Sequence, residues 1–450
     1  MSENLTVETM QDILLQQRQA QIKGGAVSAA LRIDRLRRAV SVLEQNADAF
    51  CNAMSEDFGN RSRHASKLTD IQGAITPLKD AIKNVPTWMK PEKRKASFPM
   101  GLLGGRCRIE FQPLGVLGCI SPWNFPVSTP MRKICPALAF GNAVIMKPSQ
   151  FTPAANFILA EIAQEFFPED LVQIAMVSGR VASDVVSSGE IHGVSFTGSV
   201  PTGKLVYKAA AENLIPAQLE LGGKNGAILN DSEDLEKAID QILAAAFMTS
   251  GQRCTAISRV IVQKDIADAT KTLLCDKANA MTVGDGMRAE TDIGPLCNLD
   301  HWNDVCDVTS KAISEGAKPL TGGQKLGKEE DGYFFPPTIL SEVQHEAIAG
   351  QHEIFGPVLS VIEYETFDEA MKILNGTEFG LTSALFSNRN NLIQRFLNES
   401  QNGMIHVNHG TVPDNNMPFG GIKNSGVGAY SVGPTAVNFY TSEHSAYVAW

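Results

Sequence analysis

The feature that most restricts this 450-residue chain is an alternation of apolar runs and helical patterns that sets in after Gly104-Gly105. Ala143 to Met146 reads as a strand, Pro153 to Phe166 as a helix, Gly193 to Phe196 as a strand, Pro201 to Ala211 as a helix and Ala217 to Leu221 as a strand. Such alternation predicts βαβ units and a mainly parallel sheet covered on both faces. It continues past Gly222-Gly223 with a helix expected from about Glu233 to Met248. That helix has Leu235, Ala238, Ile239, Ile242, Leu243 and Ala246 on one face. Asp231 and Ser232 can cap it, and Glu233, Asp234 and Glu236 oppose its dipole. A strand follows at about Ser258 to Val262, with further βα segments to about Ser425. Upstream, Arg106 to Phe111 and Val116 to Ile120 read as two strands of a hairpin turning at Pro113-Leu-Gly115. Before them, Leu36, Val40 and Leu43 mark one amphipathic helix, with Arg35, Arg37 and Arg38 on its other faces. A second helix is expected from about Lys67 to Val85, punctuated by Pro86 and Pro91.

Length alone suggests two or three domains. Hydrophobic residues at 43% and charged residues at 20% argue against wholesale disorder. A net charge of −10 argues against nucleic acid as a partner, and the short basic run Lys90 to Lys95, broken by Pro91, reads as a solvated connector. The N-terminus lacks the pattern of a signal peptide, and no segment approaches the ~18 consecutive apolar residues of a membrane span. A soluble, cytoplasmic protein without a membrane partner is expected. The eight cysteines (51, 107, 119, 135, 254, 275, 297 and 306) form no C-x-x-C pair and no zinc-like spacing, so no metal is expected.

Four segments carry candidate chemistry. Cys254 follows Ser250-Gly-Gln-Arg253 on a loop between a helix and a strand, and Arg253 beside it would favour the thiolate. The competing reading is an apolar filler, as most cysteines are. Glu220, between Leu219 and Leu221 and ahead of Gly222-Gly223, ends a strand on the opposite face from the leucines. Ligands of open α/β sheets bind at that end, which suits a general base, although a surface ion pair is the commoner fate of a glutamate. Asn124, in Ser121-Pro-Trp-Asn-Phe-Pro126, can donate to an oxyanion or can serve only as an Asx-turn residue. In Phe196-Thr-Gly198-Ser199-Val-Pro201, a strand gives way to a helix with proline in its first turn. Free N–H groups there can meet a pyrophosphate, or the segment is an ordinary βα turn, since it matches neither G-x-G-x-x-G nor a P-loop.

Together these segments resemble the aldehyde dehydrogenase superfamily from about Leu31 onward. The resemblance rests on Pro122 to Pro126, Lys147-Pro-Ser-Gln150, Phe196 to Ser199, Glu220 to Lys224, Gly251 to Cys254, Glu353 to Pro357 and Pro418 to Gly426. It implies that Cys254 attacks an aldehyde, that Asn124 and the Cys254 N–H hold the oxyanion, and that Glu220 activates the water that cleaves the thioester. It assigns Pro122, Trp123, Lys147, Ser149, Gln150, Gly198, Ser199, Leu221, Gly222, Glu353 and Phe355 to NAD or NADP. Arg132, Phe125 and Arg253 fall to the substrate. The implied fold is α/β, with a Rossmann-like cofactor domain (1–94 and 115–222), an α/β catalytic domain (223–425) and oligomerisation strands (95–114 and 437–450) that build a homodimer or homotetramer.

Departures sharpen the expectation. The chain opens at the first helix, lacks the N-terminal arm of longer members, and is shortened before Phe167-Pro168. Its first half is similar to coniferyl-aldehyde enzymes, whereas Arg253 to Arg259 looks like semialdehyde dehydrogenases. Ser431 stands where many members carry a second acidic residue, which puts a proton relay there in doubt. Gln150 replaces a glutamate that contacts the 2′-hydroxyl, leaving NADP open beside NAD. Arg132 occupies a position where semialdehyde dehydrogenases hold an anionic tail, and a guanidinium suits a carboxylate or sulfonate. It can equally be paired with a neighbouring carboxylate. The expected activity is oxidation of an aldehyde with an anionic tail. The alternatives are an aromatic aldehyde, CoA-acylating transfer and a non-catalytic scaffold.

Overall fold

The computed structural model describes residues 6–167, 171–231, 234–414 and 416–449. Three sheets of three or more strands organise the described residues. The first contains, in spatial order, Gly426–Val427, Ala217–Glu220, Gly193–Thr197, Val116–Ile120, Ala143–Lys147 and Val172–Ile174. All neighbours are parallel except the short first strand, which runs antiparallel to Ala217–Glu220. Taken by sequence, the five parallel strands lie in the order 5-4-1-2-3. The winding therefore reverses between Val116–Ile120 and Gly193–Thr197, opening a crevice at their carboxyl ends.

The second sheet draws on residues 225–407. Its order is Lys318–Thr321, Thr338–Ser341, Val358–Tyr364, Ile257–Gln263, Asn225–Leu229, Thr382–Phe386 and Met404–Val407, parallel apart from the first strand. Core side chains fill both of its faces: Ile239, Ile242 and Leu243 on one, Trp302, Val305 and Leu340 on the other. A third sheet joins Glu92–Arg94, Arg106–Pro113 and Thr441–Val448 in antiparallel pairs.

That third sheet overturns the expected hairpin. Arg106–Pro113 pairs with Thr441–Val448 rather than with Val116–Ile120. Burial gives the reason: Val116 to Cys119 are fully enclosed, as a strand covered on both faces requires, whereas Arg106–Pro113 is half exposed. Gly115, at a φ of 130°, turns the chain from one sheet to the other.

Two helical expectations also change, and one helix is added. The helix beginning near Lys67 is part of a longer helical run from Arg63 to Trp88, widened to a π-turn at Lys67–Gln72 and containing Pro77 and Pro86. The helix expected from Glu233 is Leu235–Phe247, and its cap is Asp234, which accepts from the Lys237 N–H at 3.0 Å. Asp231 instead binds Arg389 and Ser387, while Ser232 and Glu233 lie outside the described residues, as does Pro168. A helix at Val7–Gly24, capped by Thr6, precedes the first one read from sequence. Among the described residues no helix is long and apolar enough to cross a membrane, all eight cysteines are free, and no cluster of metal-ligating side chains occurs.

Candidate active site

Cys254 leaves the helix Leu235–Phe247 through an unusual turn. Thr249, Ser250 and Gly251 take φ values of 53°, 58° and 71°, three left-handed residues in a row. For the two non-glycine residues this costs of order 1–3 kcal/mol each, so the surroundings must hold the turn. They do. Gly251 packs so closely on the Gly356 carbonyl that a Cβ would lie 2.2 Å from its oxygen. Ser250 donates to the Gly294 carbonyl at 2.8 Å, and Gln252 accepts from the Cys297 N–H at 2.8 Å. Beyond the thiol, Asn225 donates to the carbonyls of Cys254 and Ala256 at 2.7 and 2.8 Å, and Thr411 to that of Thr255.

The loop delivers Cys254 into a cavity of about 360 Å³ that Glu220, Arg132, Phe125, Lys133 and Ser431 also line. Glu220 is fixed there by its backbone. Its carbonyl accepts from Gly198, and its strand pairs with Gly193–Thr197 and Gly426–Val427. Leu219 and Leu221 point into the core behind it. One carboxylate oxygen, Oε1, is enclosed without a hydrogen-bond partner, and Ser431 bonds the carboxyl group. Burial raises the pKa of Glu220 above the ordinary carboxylate value, against the pull of Lys133, Ser431 and Arg132.

Arg253 does not make Cys254 acidic. Its guanidinium turns to the Ala245 carbonyl at 2.9 Å and the Met248 sulfur at 3.6 Å, although the residue lines the cavity. Burial, reinforced by Glu353 and Glu220, pushes the Cys254 thiol up to about 12. At neutral pH that keeps the thiol protonated, so attack needs a group to take the proton. Glu220, in the same cavity with a raised pKa, is such a group.

Asn124 reaches the same loop from the other side. Its Nδ2 donates to the Gln252 carbonyl at 3.1 Å, and it lines a second cavity, of about 520 Å³, behind Met248 to Gln252. One amide hydrogen meets Gln252, and Nδ2 carries a second. Arg132 leans on the preceding helix. Pro77 has no N–H to offer the Gly73 carbonyl four residues earlier, and Arg132 Nε donates to that carbonyl at a long 3.4 Å.

Most of the remaining expected residues follow the carboxyl ends of strands in the first sheet. Pro122 and Trp123 follow the strand Val116–Ile120, and Lys147, Ser149 and Gln150 follow Ala143–Lys147. Ser149 is buried, and its carbonyl accepts from Asn156 at 2.6 Å; Gln150 is exposed. Gly198 and Ser199 precede the helix Val200–Glu212, and the Ser199 hydroxyl caps none of its N–H groups, bonding Thr202 instead. Glu353 lies on Gly222-Gly223: Oε1 accepts from the Gly223 N–H at 2.8 Å, and a Cβ on Gly222 would sit 1.9 Å from Oε2. Burial pushes Glu353 up to about 7. Phe355 takes a left-handed φ of 58° and meets Trp123 edge-on at 5.5 Å.

Several participants escaped sequence reasoning. Lys133 donates to Ser195 Oγ at 2.7 Å, deep beside Glu220. His301 Nε2 lies 2.9 Å from the Phe355 carbonyl oxygen, which can only accept, so Nε2 carries the proton; the ring packs on Trp123 at 5.1 Å. Lys224 is buried, its Nζ has no hydrogen-bond partner, and burial lowers it to about 7. Proximity to the Glu220 motif flags Lys224 and Asn225, while no local signal marks Lys133 or His301.

Residues 3–445 match the model of the aldehyde dehydrogenase family. A probable coniferyl aldehyde dehydrogenase of Caulobacter vibrioides is 34% identical over 94% of this chain and 87% of its own length. An α-ketoglutaric semialdehyde dehydrogenase of Bacillus subtilis is 35% identical over 75% of this chain and 70% of its own. Among solved structures, a betaine aldehyde dehydrogenase of Staphylococcus aureus in complex with NAD+ superposes with a TM-score of 0.93 at 29% identity. That match covers 99% of this chain and 91% of the other.

Proposed function

The chain belongs to the aldehyde dehydrogenase family, and from that premise we propose that it oxidises an aldehyde with an anionic tail to the carboxylic acid through a thioester on Cys254. One observation carries this reading: Cys254, Glu220 and Arg132 line a single cavity. Glu220 takes the thiol proton as sulfur bonds to the carbonyl carbon, and the oxyanion that forms falls to the Asn124 amide and the Cys254 N–H. A bound NAD or NADP supplies the acceptor for the hydride that leaves the same carbon, so that a thioester remains on sulfur. Glu220, having passed the thiol proton to solvent, then removes a proton from water as its oxygen bonds to the acyl carbon; the C–S bond breaks, and that proton passes to the departing sulfur.

The crevice suits a dinucleotide. It lies where the strand order reverses, and the Ser199 side chain leaves the helix N–H groups to a ligand. In this reading Gly198 and Ser199 meet the pyrophosphate, Pro122, Trp123, Lys147, Ser149 and Gln150 surround the adenosine half, and Leu221, Gly222, Glu353 and Phe355 surround the nicotinamide half. The six-stranded unit serves as cofactor domain, the seven-stranded unit as catalytic domain, and the three-stranded sheet joins subunits in a cytoplasmic homodimer or homotetramer. Glu353 must be ionised to accept strongly from ribose hydroxyls, and it loses its charge as pH falls through about 7. The KM for cofactor should therefore rise below about pH 7, and a Glu353→Gln variant should have a raised KM without this limb, as initial-rate kinetics across pH would reveal.

Arg132 selects the substrate. It opposes a cationic aldehyde of the betaine kind and favours a carboxylate or sulfonate. Succinic semialdehyde, a sulfonated aldehyde and benzaldehyde serve as the panel. Arg132→Ala is expected to lower kcat/KM for the two anions by about 10–100-fold, the range of one charged hydrogen bond, and to spare benzaldehyde. Faster turnover of benzaldehyde that is indifferent to Arg132 would transfer the assignment to aromatic aldehydes. That second reading draws on Phe125 and Phe419, which give the same cavity two aromatic walls. Hydrolysis is favoured over transfer to CoA because Glu220 keeps a carboxylate beside the thiol.

A further inference from the structure

One buried ion pair, unused in the steps above, grips the segment that carries Asn124. Arg61 Nη2 donates to Asp70 Oδ2 at 2.8 Å, with both side chains shut away from solvent. From Nη1 the same guanidinium donates to the backbone carbonyl of Asn124 at 2.9 Å. Asp70 Oδ1 accepts from the N–H groups of Val127 and Ser128, each at 3.1 Å. Ser128 opens the helix Ser128–Ala139, which has no side-chain cap of its own, so Asp70 satisfies N–H groups that would otherwise lack partners. The cation is further confined between the rings of Phe58 and Phe125, at 4.9 and 5.7 Å from their centroids.

Asp70 reaches this position from the π-turn Lys67–Gln72, the kind of wide turn that often marks functional sites. We propose that Arg61 and Asp70 are positioning residues that fix the Asn124 amide against the Cys254 loop. The proposal rests on the reading of Asn124 as an oxyanion donor. Asn124 touches the loop through Gln252, two residues before the thiol, so a tilt of the peptide at 124 shifts the amide relative to sulfur. A displacement near 1 Å can cost on the order of 10²-fold in rate. Asp70 also secures the start of the helix bearing Arg132 and Lys133, so one carboxylate registers the oxyanion donor and the substrate-binding helix together.

A buried ion pair also contributes to folding, and the test has to separate the two roles. The double variant Arg61→Leu/Asp70→Asn removes both charges yet leaves an oxygen for Val127 and Ser128. In single-turnover experiments with saturating NAD+, NADH formation should fall by up to about 10²-fold, while cofactor affinity stays within roughly twofold. The same substitutions in an Asn124→Ala background should cause no further loss, because residues acting through one group are not additive. Equal losses in both backgrounds would overturn the proposal and leave the pair a purely structural role. Full activity of Asn124→Ala alone would instead remove the oxyanion reading, and the proposal with it. Arg61→Lys keeps the charge beside Asp70 if the double variant fails to fold; it should lose about tenfold in the native background and nothing in the Asn124→Ala one.

Discussion

Replacing Cys254 with serine should abolish aldehyde-dependent reduction of the nicotinamide, by at least about 10³-fold, while leaving the fold and cofactor binding intact. The hydroxyl is close in size to the thiol, so the turn at Thr249 to Gly251 and the Asn225 clamp on the following carbonyl need not rearrange. What is lost is nucleophilicity. A serine in this enclosed cavity would be far harder to ionise than a thiol already pushed up to about 12. Stopped-flow absorbance of the reduced nicotinamide, beside circular dichroism of the same sample, makes the comparison. Retention of more than a few per cent of the rate would remove Cys254 from the chemistry.

Glu220→Gln separates the two halves of the reaction. The variant keeps the shape of the side chain and its place beside Ser431, but it cannot take a proton from water. Hydrolysis should slow by about 10²–10⁴-fold, the usual contribution of a general base. If some thiol is still captured, a burst approaching one reduced nicotinamide per active site should precede a slow steady state. Mass spectrometry should then find the acyl group on Cys254. A variant without burst or acyl adduct, and with an unchanged steady-state rate, would show that Glu220 serves neither step. The native pH profile should rise on its acid side at a pH above that of an ordinary glutamate, since burial disfavours the charge. Glu220→Gln should lose that limb.

Much of this architecture could be read from residues alone, for a physical reason. Strands such as Ala143–Lys147 and Gly193–Thr197 are enclosed on both faces, so they appear as uninterrupted apolar runs between helices. Glu220 was legible because it breaks such a run beside two glycines. The hairpin was misread because Pro113-Leu-Gly115 signals a change of direction without saying which strand receives the chain. Val7–Gly24 was missed because few of its residues, Met10, Leu14 and Gln17, are buried. Contacts distant in sequence left no local trace: Asp70 meets Val127 and Arg61 meets Asn124 across 57 and 63 positions. Arg253 teaches the reverse lesson. It adjoins Cys254 in the chain, yet its charge is directed to Ala245, and the thiol's enclosure outweighs it.

Pro77 carries no functional group, and it borders a narrow hollow of about 30 Å³ that it shares with Arg132. By withholding an amide hydrogen, it leaves the Gly73 oxygen to face a guanidinium rather than the next turn of its own helix. In the proposed reading of Arg132, the choice of aldehyde is encoded partly as a gap in a helix ladder, and variants with altered preference need not change any side chain that the aldehyde touches.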